Sequence, residues 1–258
     1  MKADFDIAAK NYDTSFTNSE IGKLQRNLVY YNLKKHLNTK KNILEINCGT
    51  GEDAIWLANQ NYKVIATDIS EKMIEVAKSK INLVNLKFEV VDINSISEQY
   101  KNEKFDLLFS NFGGLNCLSN SEMRTFFENS SRIISEKGKL ILVIMPKNTL
   151  WEQLFFFLNL DLKNAFRRKK EIAIANVDGE NVKTYYFNPK DIVNLSNSNF
   201  EFISAKPIGF FVPPSYLEPF FKNKKIFLDS LNFLENSIKN WAFLSKYADH
   251  YIIILQKK

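Results

Sequence analysis

Residues 42–58 read NILEINCGTGEDAIWLA. A short apolar run, Asn42–Asn47, carries one acid, Glu45, in its middle, where a buried strand would hold only apolar side chains. Gly49 and Gly51 follow, and Gly51–Asn59 then has the composition of a helix. Glycine lets the backbone turn tightly and come close to a ligand with no Cβ in the way. The helix that follows offers free N–H groups at its start. Such a loop alone leaves the ligand open. CGTGEDA satisfies G-x-G-x-x-A, and Asp68 lies about 20 residues on, where a dinucleotide fold places its ribose-binding acid.

The totals narrow the class. A chain of 258 residues is long enough for one α/β domain with elaborations. Hydrophobic residues at 45% and charged residues at 25% fit a soluble globular chain rather than a disordered one. The 22 Phe fill a core or line an aromatic pocket. The net charge of +6 comes mainly from Lys, which reads as a solvated surface or, alternatively, as attraction for nucleic acid or a membrane. Cys48 and Cys117 have no metal-ligand spacing, and two His are too few for a zinc cluster, so no metal is expected. Asp4 and Asp6 stand where a secretion signal needs an apolar run, and a cytoplasmic location is expected. No stretch approaches the roughly 18 apolar residues of a membrane span.

Outward from the glycine loop, strand and helix alternate. KVIAT (Lys63–Thr67), KFEVV (Lys87–Val91), KFDLLFS (Lys104–Ser110) and Lys139–Met145 read as strands after Asn42–Asn47. Helices are expected from Ser70 to Ile81 and from Glu122 to Ile134. Residues 5–38 read as helical, with Ile21, Leu24, Leu28, Tyr31 and Leu37 spaced by threes and fours. This order implies right-handed crossovers and a mostly parallel sheet with helices on both faces. After Pro146 the pattern changes. A Phe-rich, then basic segment ends in the turn VDGEN. A helix at 189–197, a strand near Phe200–Phe211, the proline-marked FVPPSYLEP, a long helical stretch and a last strand DHYIIILQ follow.

Three features separate the ligand classes. A pyrophosphate is repelled by Glu45, whereas an ammonium or sulfonium ligand is favoured by it; the plainer alternative is a carboxylate satisfied by backbone. Asp92 ends the third strand in VVDI, with a cap for the next turn as its alternative role. The late strand pair is not the usual dinucleotide layout.

With these motifs the chain resembles the class I S-adenosylmethionine-dependent methyltransferases, and most closely their small-molecule branch in quinone biosynthesis and secondary metabolism. The acidic strand and glycine loop, VIATDIS, VVDI, FDLLFSNFGGLNCL and RIISEKGKLILVIMP agree with that family in order and spacing over about residues 40–146. The resemblance implies a Rossmann-like seven-stranded sheet, its last strand antiparallel, within one domain. That domain divides into an N-terminal helical cap (1–40), a cofactor core (41–146), a helical lid insertion after strand five (147–187) and the C-terminal part of the sheet (188–258).

The resemblance also implies roles. Glu45 organises the cofactor loop or its amino-acid moiety, and Cys48, Gly49, Thr50 and Gly51 line the methionine and ribose side. Asp68 takes the ribose hydroxyls, Ile69 packs on adenine, and Met73 belongs to the same cofactor side. Asp92 and Ile93 meet the adenine edge, and Asn111 and Phe112 stand at the methyl-transfer point. Tyr12 folds over the cofactor. Asn47 departs from the family, which has glycine there; its side chain crowds the loop or adds a hydrogen bond to the cofactor.

The acceptor side falls to variable parts: Phe16, Arg26, Asn116, Trp151, Phe155 and Phe156. Arg26 reads more plainly as a solvated surface residue. His250 opens the last strand, and if that strand is antiparallel, Asp249–His250 stands near the site as a candidate base; His250 and Asn111 are the catalytic candidates. Residues 153–170 read as a lid or as a peripheral membrane contact. The expected activity is methyl transfer from S-adenosylmethionine to O or N of a small apolar or aromatic acceptor. The alternatives are a tRNA or protein methyltransferase and a non-catalytic cofactor- or partner-binding protein.

Overall fold

The structure is a computed structural model and describes residues 6–37, 41–177 and 180–258. The strands are β1 (Asn42–Ile46), β2 (Lys63–Asp68), β3 (Leu86–Val90), β4 (Phe105–Ser110), β5 (Ile134–Ile144), β6 (Ala173–Val177), β7 (Glu180–Thr184), β8 (Phe200–Ile208) and β9 (His250–Lys257). Seven of them form one sheet in the order β3-β2-β1-β4-β5-β9-β8, and β6 pairs with β7 apart from it. β1 to β5 run parallel, while β9 is antiparallel to both β5 and β8. Strand order reverses at β1, between β2 and β4, so a crevice opens beyond the carboxyl ends of these strands. Being antiparallel, β9 brings its first residue to that same end: His250 pairs with Ile208 and Tyr251 with Ile144.

The helices are α1 (Glu20–Leu33), α2 (Glu52–Asn59), α3 (Glu71–Lys80), the short α4 (Ile96–Gln99), α5 (Asn120–Ile133), α6 (Leu150–Leu158), α7 (Leu162–Ala165), α8 (Pro189–Ser196), α9 (Glu218–Phe221) and α10 (Lys225–Ile238). Side chains alternate across β1 and both faces are buried, as a doubly covered sheet requires. Leu44 and Ile46 join Phe126, Phe127 and Ile192 in one core. Ile43 joins Leu28, Leu33, Leu57 and Ala77 in the other. Glu45 points to this second face. A third cluster holds Ile21, Val212, Phe221, Leu228 and Leu231.

Two expectations change. The helix expected over 5–38 is broken: Ala8–Lys10 is a 3₁₀ turn, Asp13–Thr17 a π turn, and α1 starts only at Glu20. Ser19 sets that start, because its Oγ accepts the Gly22 N–H at 2.9 Å as an N-cap. The insertion at 147–187 is not wholly helical. After α6 and α7 it forms the antiparallel β6–β7 hairpin, in which the β-branched Ile174 and Val182 lie on strands where helix was expected. Residues 1–5 and 38–40, and positions 178–179 of the VDGEN turn, lie outside the described residues. β8 stops at Ile208, because Gly209 takes φ +74° and turns the chain.

Candidate functional site

The glycine loop leaves β1 through two left-handed residues, Asn47 at φ +54° and Gly49 at φ +53°. Asparagine tolerates this region better than most side chains. Its side chain lies over Gly114, and its Nδ2 donates to Ser110 Oγ at 3.4 Å. A Cβ on Gly49 would meet only the Tyr12 ring, at 3.8 Å, so this glycine faces the cavity. Gly51 serves packing instead: a Cβ there would stand 2.7 Å from the Phe88 ring. Gly51 thus allows close approach of helix and sheet on the side where a Cβ would stand.

Asp68 fixes the loop. Its Oδ2 accepts the Gly49 N–H and its Oδ1 the Ser70 N–H, both at 2.9 Å. Burial raises its carboxyl above the ordinary aspartate value, against the pull of those N–H groups. Glu45 is 1% exposed, and its Oε2 has no hydrogen-bond partner. Burial, helped by the charges of Asp53 and Asp68, pushes its carboxyl well above the usual range. Burial likewise raises the Cys48 thiol, so Cys48 lines the site as a neutral group.

Beside Glu45 is a cluster that the sequence reading missed. Arg26 Nε donates to Asp53 Oδ1 at 3.0 Å, and Tyr30 Oη donates to the same oxygen at 2.7 Å. Asn111 Nδ2 donates to Asp53 Oδ2 at 2.9 Å, and Asn111 Oδ1 accepts the Phe112 N–H at 3.0 Å. Arg26 is therefore a buried residue, not the solvated one expected. Burial works against its charge, but Asp53, Tyr30, Tyr12 and Glu52 together outweigh that and raise its pKa. Its guanidinium also lies 5.5 Å from the Phe16 ring centre and 5.3 Å from that of Phe112. The one available signal for Asp53 was its place in the first turn of the helix after the glycines. Glu45 lies within electrostatic reach of Asp53, Asp68 and Arg26, three acids to one guanidinium, an excess that suits a cationic ligand and opposes a diphosphate.

Residues 6–17 roof the loop. Asp13 accepts from Thr50 Oγ1 at 2.6 Å and pairs with Lys80 at 2.6 Å; Ser70 Oγ donates to Asp6 at 2.5 Å. Tyr12 rests on Phe16, and Phe16 stands edge-on to Phe112. Burial pushes the Tyr12 hydroxyl up to about 12. Tyr12, Arg26, Asn47, Cys48, Gly49, Thr50, Asp53, Asn111 and Phe112 surround a cavity of about 20 Å³. That is room for about one water.

His250 packs edge-on against Phe112, 5.5 Å between ring centres. Its Nδ1 lies 3.2 Å from Asp249 Oδ2, within ion-pair reach but outside hydrogen-bond geometry. Asp249 is also bound to Arg168, whose Nη2 donates to Oδ1 at 3.1 Å. Its burial is outweighed by His250 and Arg168, which hold the Asp249 carboxyl far below the usual range. Arg168 in turn donates to Glu152 Oε2 at 3.0 Å, so α6 and the residues after α7 are tied by buried charges to the start of β9.

Other candidates are placed differently. Ile69 is half exposed beside Asp68, and Met73 packs with Ala8 and Ala9 under the roof. Asp92 is exposed and caps the turn at Ile93, accepting the Asn94 N–H at 2.8 Å. Asn116 is corrected from an acceptor contact to a structural clasp: Nδ2 donates to the Met145 and Tyr185 carbonyls, and Oδ1 accepts the Met145 N–H. Trp151 Nε1 donates to the Phe211 carbonyl at 3.1 Å, and Phe155 and Phe156 pack on Tyr216 and under Arg167. None of these three lines the cavity described above.

Comparison with known proteins agrees with this geometry. Residues 43–138 match the family described as methyltransferase domain. The malonyl-[acyl-carrier protein] O-methyltransferase of Acetivibrio thermocellus is 31% identical over 43% of this chain and 38% of its own length. The chain thus spans about two fifths of that relative. An uncharacterised protein of Methanocaldococcus jannaschii is 28% identical over 76% of this chain and 80% of its own. A crystal structure titled as a SAM-dependent methyltransferase from Methanosarcina mazei shares the fold with TM-score 0.60 at 19% identity, covering 87% of this chain and 96% of that one. Residues 43–138 thus carry a methyltransferase domain, and the strand order is that of the class I S-adenosylmethionine-dependent methyltransferase fold.

Proposed function

We propose that this chain moves the methyl group of S-adenosylmethionine to an oxygen or nitrogen of a small, apolar or aromatic acceptor. The observation that carries the reading is the acidic cradle itself. Glu45 has a buried, unpartnered oxygen, and Asp68 stands at the end of the neighbouring strand. This donor set fits a ligand with ammonium and sulfonium charges and hydroxyls to bind. The cofactor supplies a methyl group already activated by its positive sulfur.

Asp68 and Glu45 would hold the cofactor, with Gly49 giving it a close approach. Asp53 fixes Arg26 and Asn111, so these two reach the site in one orientation. Tyr12, Phe16 and Phe112 exclude water, which keeps the reacting atoms aligned and undiluted. His250 is the group able to take a proton from a hydroxyl or amine acceptor, and Asp249 stands behind it. The aromatic surroundings of that ring favour an apolar acceptor over a nucleic acid, which needs a basic approach.

Thermal unfolding with S-adenosylmethionine, S-adenosylhomocysteine, NAD and NADP tests the cofactor half. A ligand that binds the folded state adds about 2.7 kcal/mol at a hundredfold excess over Kd. Stabilisation by the adenosyl pair alone is expected. A shift with NAD and none with that pair would sink the reading. The acceptor half is tested by turnover with small phenols, carboxylic acids and amines against tRNA. Methyl incorporation into tRNA alone would overturn the small-molecule acceptor.

A further inference from the structure

The elements around the lid leave an apolar surface uncovered. In α6 and just after it, Leu158 is 76% exposed and Leu160 89%. In α10, Ile226 is 86% exposed and Phe233 72%. The two regions are joined by aromatic contacts. Phe155 meets Tyr216 with ring centres 6.4 Å apart, Trp151 meets Phe221 at 6.2 Å, and Phe221 stacks on Phe227 at 5.9 Å. Phe220, Phe227 and Trp241 extend the same exposed series. A water-soluble surface rarely carries so many large apolar groups in one region without a use for them.

The charges on these elements are one-sided. Lys163, Lys169, Lys170, Lys222, Lys224 and Lys225 are exposed, against the exposed acids Glu171 and Asp229. Glu218 is spent on the Glu20 and Ile21 N–H groups at the start of α1, and Glu235 on four backbone N–H groups from Gly209 to Val212. Lysines also stand at the aromatics themselves: Lys224 Nζ lies 3.0 Å from the Phe220 ring centre and Lys169 Nζ 4.6 Å from that of Phe166. Large aliphatics and aromatics edged by lysine match an anionic headgroup layer above acyl chains. Exposed Leu and Ile would gain nothing from a nucleic acid. Among the described residues no helix is long and apolar enough to cross a membrane, so such contact lies along the surface.

We propose that the face made by α6, α9 and α10, with the basic residues after α7, docks on an anionic phospholipid bilayer. The sequence reading saw only the 153–170 part of this face. α9 and α10, which complete it, lie about 60 residues further on and join it only through the fold. The proposal does not depend on the methyl-transfer reading, and its test needs no activity.

The experiment is co-sedimentation of the whole protein with vesicles of phosphatidylcholine mixed with phosphatidylglycerol, and with vesicles of phosphatidylcholine alone. Binding to the mixed vesicles, weakened by salt, is expected. Lys224→Glu with Lys225→Glu should lower the partition coefficient about fivefold or more per lysine. Ile226→Ser with Phe233→Ser should lower it at least about tenfold. Both pairs are exposed, so an unchanged unfolding temperature will show that the variants fold. No binding to mixed vesicles overturns the proposal, as does equal binding to the neutral ones. So does a dimer in sedimentation velocity that the apolar pair abolishes, since a second copy would then cover this face.

Discussion

Asn47 and Gly114 share one space. Asn47 holds the left-handed conformation at φ +54°, and a Cβ on Gly114 would fall 2.5 Å from the Asn47 Cβ and 2.7 Å from its Cγ. The loop after β4 thus makes room for the side chain that this chain carries in place of a glycine. Gly114→Ala should destabilise the protein by about 1–3 kcal/mol through overpacking. In Asn47→Gly with Gly114→Ala the clash disappears, and denaturant unfolding of the cycle should return a coupling of about 0.5–3 kcal/mol. Strictly additive effects would show that the two sites do not compete for space.

Asp68 has two duties that can be separated. It holds two loop N–H groups, and in the proposed function it also takes the ribose hydroxyls. Asp68→Ala should weaken S-adenosylmethionine binding by about 1–3 kcal/mol in calorimetry. The loss of loop bonds should appear separately, as a lower unfolding temperature without ligand. Unchanged affinity would remove Asp68 from the cofactor site.

Glu45 gives a pH signature with a definite sign. Its folded-state pKa is raised, so between the ordinary glutamate value and the raised one the folded chain binds more protons than the unfolded chain. Its contribution to stability is therefore fully present below the ordinary value and is lost as pH rises toward the raised one. Glu45→Gln should remove that fall, flattening unfolding temperature against pH relative to the parent protein. A cationic ligand favours the ionised carboxylate, so cofactor binding should release a proton. Calorimetry in two buffers of different ionisation enthalpy should show that release in the parent and lose it in the glutamine variant.

The roof should set the rate of ligand entry. Asp13 bonds Thr50 and Lys80 and so pins residues 6–17 beside a cavity that holds about one water; in the proposed function these residues lift before a nucleoside enters. Asp13→Asn loses the ion pair and should speed association by up to about fivefold, as the loss of about 1 kcal/mol would. Stopped-flow fluorescence from Trp56, which stacks on Tyr30 beside Arg26, offers a readout. An unchanged rate would place the barrier elsewhere.

Arg168 neutralises two buried carboxylates, those of Glu152 and Asp249. Arg168→Met leaves both without their shared cation and should cost about 3–5 kcal/mol. Glu152 keeps Arg167, so Asp249→Asn with Arg168→Met should recover part of this in urea unfolding, because the carboxylate left without a guanidinium is then removed. If the single variant loses less than about 1 kcal/mol, the network is not a structural keystone.

The fold was legible because its signals are local. β1 to β4 are short strands, and Asn47, Asp68, Asp92 and Asn111 lie at their ends or within two residues beyond them in the sequence. The seven-stranded sheet and its antiparallel last strand follow from those signals together with the family resemblance, and the observed strand order agrees. What could not be read is pairing at a distance. Arg26 meets Asp53 across 27 residues, and Arg168 meets Asp249 across 81. A lone arginine in sequence looks the same whether it is solvated or buried. Asn116 misled for a related reason: an amide after β4 serves a ligand or a backbone equally well until the Met145 and Tyr185 carbonyls are in place. The β6–β7 hairpin was hidden because a basic run and a turn surround strands of five residues each.

The position of β9 has a consequence for how the chain is made. It lies between β5 and β8 in the sheet, yet it is synthesised after both. While the ribosome is still making the helices after residue 208, β8 has no strand to join, and one edge of β5 stands open. Domains assemble from the amino end at about 5–20 residues per second. The parallel half can thus form early and must wait several seconds for its partner. Nascent chains released just before residue 250 should therefore be protease-sensitive at β8 and prone to aggregate through β5, while those extended past residue 257 should not.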